Sequence, residues 1–68
     1  MEENWTLVYS TNKPYQADII IELLDENGIV GVTINKEDSS YLTFGFVEVY
    51  VNDNDAERAL SIIKSSEL

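Results

Sequence analysis

The sequence predicts an α+β domain with the element order β-α-β-β-α. Three observations predict it. Residues 5–9, Trp-Thr-Leu-Val-Tyr, are aromatic and β-branched, the composition of a strand. Ala17, Ile20, Ile21 and Leu24 fall at i, i+3, i+4 and i+7, one face of a helix. Residues 44–51 alternate apolar and other residues with the period of a strand, and a second helical stretch follows. The first strand, the first helix and the apolar run at 29–34 together occupy about thirty residues, the span of one βαβ unit.

Each element has a local reason. Met1–Asn4 is short and polar, a poor candidate for ordered structure. Ser10-Thr11-Asn12-Lys13-Pro14 is a helix-start signal. A Ser, Thr or Asn oxygen can accept an orphan backbone N–H, and proline is tolerated in the first turn. The first helix is expected over about 13–27, with Ile19 and Leu23 widening its apolar stripe and Asp18, Glu22, Asp25 and Glu26 on the other side. Gly28 supplies the left-handed residue that ends it. The second strand is expected over 29–35, with Val30, Val32 and Ile34 on one side, and residues 36–43 form a polar connector. In the third strand Val47, Val49 and Val51 point one way and Phe46, Glu48 and Tyr50 the other. Asn52-Asp53-Asn54-Asp55 caps the second helix, whose buried face is expected to be Ala56, Ala59, Leu60 and Ile63.

Two strand–helix halves in this order suggest a split βαβ, ferredoxin-like layer. The right-handed crossover rule makes the first and second strands parallel with a gap between them. The third strand fills that gap, antiparallel to both. The expected sheet is therefore three-stranded, mainly antiparallel, in order 1-3-2, with both helices on one face. The three valines of the third strand should pack on Ala17, Ile20, Leu24, Ala56, Leu60 and Ile63. The usual fourth strand beside the first is missing, so one sheet face and the edge of the first strand are left uncovered. Pattern alone leaves the side taken by Trp5, Leu7 and Tyr9 open, because a shift of one residue swaps faces.

Sixty-eight residues make one domain, with a core over about 5–63. Small scaffolds usually need a staple. With no Cys and no His, disulfides, thiolate metal sites and the commonest acid/base side chain are all absent. A second copy or another protein is the expected staple, and a self-sufficient small core is the alternative. Thirteen Asp and Glu against four Lys and Arg give a net charge of −9. Lys13, Lys36, Arg58 and Lys64 are scattered, so nucleic acid and anionic membrane surfaces are not expected partners. No apolar run approaches the length of a membrane span, and a cytoplasmic location is the expectation.

Trp5, Val8-Tyr9-Ser10-Thr11, Ala17, Leu24, Asn27-Gly28-Ile29, Asp38-Ser39-Ser40-Tyr41, Gly45, Val47-Glu48-Val49-Tyr50-Val51 and Ala59 carry a family resemblance. On these residues, over about 5–63, the chain resembles the putative prokaryotic signal-transducing proteins, a small bacterial domain family of unknown function. The resemblance implies the PII-like variant of the ferredoxin-like fold. Lys13-Pro14-Tyr15, Leu24, Gly28-Ile29, Gly31 and Thr33 are also similar to the first βαβ unit of PII nitrogen regulators. The chain departs from true PII proteins in lacking their long loop, their later strands and their phosphate-holding basic residues. Neither ATP nor 2-oxoglutarate binding is therefore carried over, and no cofactor is expected.

Candidate sites are few. Asn52–Asp55 has the oxygen-rich composition of a calcium loop, but it lacks the turn glycine and the distant bidentate Glu, and helix capping accounts for all four residues. Asp38, Ser39, Ser40 and Tyr41 occupy the connector that serves as the effector loop in PII-like folds, against the plainer reading of a polar turn. Glu48 among aromatics has the setting of a raised carboxyl pKa, yet no second catalytic group accompanies it. The acidic stripe on the first helix is what any solvated helix shows. Trp5, Tyr9, Phe46 and Tyr50, with Glu48 between them, are more unusual, because aromatics gathered on an uncovered sheet face suggest an interface. The sequence therefore reads as a non-enzymatic signalling or interaction module that self-associates or docks a protein. The alternative is a small-molecule sensor binding beside residues 36–43.

Overall fold

The computed structural model describes residues 4–37 and 45–66. Strand β1 is Trp5–Thr11, helix α1 Pro14–Glu26, strand β2 Gly31–Glu37, strand β3 Gly45–Asn52 and helix α2 Ala56–Ser66, with a single 3₁₀ turn at Asp53–Asp55. The strand order is β1-β3-β2, and β3 is antiparallel to both neighbours. This is the expected ferredoxin-like α+β arrangement. Residues 38–44 join β2 to β3 and lie outside the described residues.

The start of α1 differs from the capping expected of it. Ser10 and Thr11 belong to β1, and the N-cap is Lys13, in extended backbone and without a side-chain cap, with Pro14 as the first helical residue. The Thr11 hydroxyl is used otherwise. It accepts the Lys13 backbone N–H at 3.1 Å and donates to Gln16 Oε1 at 2.9 Å. Tyr9 Oη donates to the same Gln16 oxygen at 3.3 Å. One side chain of α1 thus ties down two of β1, which satisfies the buried Thr11 hydroxyl.

The end of α1 follows its sequence signal. Gly28 has φ +77°, and its N–H bonds Asp25 O at 3.0 Å. Ile29 N–H reaches Leu24 O at 2.9 Å, and both side chains are fully buried. These two bonds and that apolar contact form a Schellman close, which satisfies carbonyls the helix leaves orphaned. Arg58 of α2 donates to Asn27 O at 2.7 Å, placing a cation at a helix end that has no basic residue of its own. Gly28→Val is expected to destabilise the domain by about 1–3 kcal/mol in urea unfolding. A Cβ at Gly28 meets nothing within 4 Å, so the loss comes from backbone conformation alone. A midpoint equal to wild type would refute it.

The Schellman close also explains why β2 begins at Gly31 rather than at residue 29. Ile29 is consumed by the helix end, and Val30 is left exposed beside it. At Gly31 the strand passes so close to α1 that a Cβ would stand 2.7 Å from Ile21 Cδ1.

The core lies between the helices and one face of the sheet. It consists of Val8, Ala17, Ile20, Leu24, Ile29, Val47, Val49, Val51 and Ala59, with Tyr9, Ile21, Ala56, Ile62 and Ile63 packed around it. The valines of β3 face inward, as their alternation requires. Leu60, expected in this core, is 48% exposed. The helix seats on Ala59, whose small side chain permits close approach, and is rolled toward Ile62 instead. Asn52 Oδ1 accepts the Asn54 N–H at 2.9 Å, so the run expected to cap the second helix instead caps the 3₁₀ turn Asp53–Asp55 that leads into α2.

Candidate interaction surface

Residues opposite each other in an antiparallel pair share a sheet face, so the register assigns every side chain. Tyr50 stands between Leu7 on β1 and Val32 on β2, and Glu48 between Ser10 and Ile34. Trp5 pairs with Asn52 at one end. These residues lie opposite the buried valines, on the face that neither helix covers. Leu7 is 44% exposed, Val32 37% and Phe46 49%, while Trp5, Ile34 and Tyr50 are half-buried by their neighbours.

A bulge in β1 decides who belongs to this group. The register shifts between Leu7 and Tyr9, so Val8 is an extra residue without a partner of its own on β3. Before the bulge, Trp5 and Leu7 look out from the open face. After it, Tyr9 pairs with Val49 and turns toward the helices, where its hydroxyl reaches Gln16. Of the five residues singled out from the sequence, the structure brings Trp5, Phe46, Glu48 and Tyr50 together and separates Tyr9 from them. It adds Leu7, Val32 and Ile34. The pairing of β2 with β3 was the signal for the last two, since register places them beside Tyr50 and Glu48. Asp38, Ser39, Ser40 and Tyr41 lie outside the described residues.

The electrostatics of the two sides differ. Asp18, Glu22, Asp25 and Glu26 are exposed on α1, and Glu57 on α2. Glu48 is the open face's carboxylate among the described side chains, and its Oε1 accepts the Tyr50 hydroxyl at 2.9 Å. That hydrogen bond, partial desolvation and the negative charge of Glu48 hold the Tyr50 phenol above its usual pKa.

A cleft of about 410 Å³ opens elsewhere, on the flank where α1 meets the start of β2. Ile21, Ile29 and Val30 form its apolar lining, and Asp18, Glu22 and Asp25 its acidic rim. Among the described residues no group of three acidic side chains is placed to hold a metal ion. Nor is any helix there long and apolar enough to cross a membrane.

A family model described as putative prokaryotic signal transducing protein matches residues 5–67, the whole span from β1 through α2. The chain belongs to this family. No curated protein and no solved structure matches it. The helix layer is not uniformly charged: Tyr15 and Ile19 on α1 and Leu60 on α2 stand exposed among its acids, so Ile19, expected to widen the buried stripe of the first helix, faces outward instead.

Proposed function

We propose that this chain is a non-enzymatic interaction module in prokaryotic signal transduction, docking protein through the helix-free face of its sheet and the free edge of β1. The observation that supports this most is the composition of the face. Leu7, Val32, Phe46 and Tyr50, with Trp5 and Ile34, form an apolar, aromatic-rich patch across all three strands of a chain that carries a net charge of −9. Glu48 is the carboxylate that lies on this face among the described side chains, and enrichment of aromatics distinguishes the centre of a protein interface from ordinary surface. Covering the patch removes apolar area from water at about 25 cal/mol per Å². The β1 edge adds unpaired backbone donors and acceptors for a pairing strand. The absence of His and Cys from the sequence supports the non-enzymatic reading. The scarcity of basic residues argues against nucleic acid as the partner.

A second reading, small-molecule sensing, draws support from the cleft beside α1. That cleft adjoins Gly31, at the opposite end of β2 from residues 36–43, where a sensor site was expected. Its three-carboxylate rim disfavours anionic effectors.

Replacing Phe46 and Tyr50 together by Ser tests the interaction reading. Both side chains lie on the exposed face, so circular dichroism and the melting temperature should stay near wild type. Association should weaken about tenfold or more, the loss typical of interface aromatics. A double mutant that keeps its solution mass and every binding partner refutes the reading and moves attention to residues 36–43.

A further inference from the structure

Resting on the reading above, we infer that the occupant of the open face is a second copy of this chain, packed sheet to sheet about a two-fold axis. Size is the first argument. Strands of seven to eight residues, at about 3.3 Å per residue and about 4.8 Å apart, make a face of roughly 25 by 14 Å. With side-chain relief, two such faces exclude roughly 1,000 Å² of total surface, the lower bound for a specific interface and the range of weak, exchanging dimers. A two-fold axis uses each apolar residue of such a face twice.

Charge is the second argument, and it selects the geometry. A copy at −9 repels another copy, so a dimer must keep the acids apart. Packing helix layer to helix layer would oppose Asp18, Glu22, Asp25 and Glu26 to themselves. Packing sheet to sheet does the reverse. Sheets stack about 10 Å apart, and a helix layer beyond each then puts the acidic faces on opposite outer surfaces of the dimer. Their separation of roughly 30 Å is several times the screening length of about 8 Å at physiological salt.

Sedimentation equilibrium of the whole 68-residue chain, from low micromolar to near-millimolar concentration, should show the mass rising from monomer to dimer. On dilution, amide NMR shifts should move at Leu7, Val32, Phe46 and Tyr50 and stay fixed along α1. Val32→Glu, checked for a native circular-dichroism spectrum, should abolish the transition to dimer. A chain that stays monomeric throughout overturns the second copy as occupant, while the interaction reading then stands or falls on the Phe46 and Tyr50 double mutant. Dimerisation whose dilution shifts map to α1 or α2 also overturns it.

Discussion

Val49→Asp should leave the chain without a native circular-dichroism spectrum at room temperature. Val49 is fully buried at the centre of β3, paired with Tyr9 on one side and Thr33 on the other. Its side chain points at the helix layer, into a core made of aliphatic residues. An aspartate there has no cation to pair with, since the basic residues whose side chains are described, Lys13, Arg58 and Lys64, are all exposed. Burying an unpaired carboxylate, or protonating it to avoid the charge, costs several kcal/mol. A single core in a chain this short rarely supplies more than about 3–5 kcal/mol in all. The substitution therefore exceeds what the fold holds in reserve. A Val49→Asp chain with wild-type circular dichroism and melting would refute the assignment of β3's inward face.

Leu24→Ala should cost about 2–5 kcal/mol, the range for truncating a fully buried leucine. Leu24 is 0% exposed and serves three contacts at once. Its side chain fills the core under α1, its carbonyl closes the helix by accepting Ile29 N–H, and its Cδ1 would stand 3.5 Å from a Cβ at Gly31. The void left by alanine is bounded by the backbone of β2 and cannot collapse without pulling the strand away from β3. Leu60→Ala is the matched control. Half-exposed on α2, it should lose only about 0.5 kcal/mol. Urea unfolding of both variants separates them. Equal losses would mean that α2 seats on Leu60, as its helical spacing alone suggests, rather than on Ile62.

That contrast marks where the sequence stops being legible. In α2 the apolar positions 56, 59, 60, 62 and 63 cover more than one face, so periodicity permits two rolls of the helix about Ala59. Packing against β1 and β3 chooses between them. The start of α1 shows the same limit. Thr11 carries a good capping hydroxyl, yet that group is drawn into the Gln16 contact that fixes β1 to α1, and Pro14 begins the helix without help. Where a signal has one physical meaning, it reads through without ambiguity. Gly28 after a helical stripe is such a signal, and so is the Val-Glu-Val-Tyr-Val alternation of β3.

By itself the sequence determined the element order, the 1-3-2 sheet, the inward face of β3 and thereby Phe46, Glu48 and Tyr50 on the open side. These follow from local periodicity and from the handedness of the crossover, which act within or between neighbouring segments. Only the tertiary structure decided which residues of β1 join them. An added residue at Val8 reverses the alternation halfway along the strand, so Trp5 and Leu7 face out while Tyr9 faces in. A bulge is a property of a pair of strands rather than of either one. It is set by how Val8 and Tyr9 together fill the space opposite Val49, and that space exists only once the helices and β3 have closed over it.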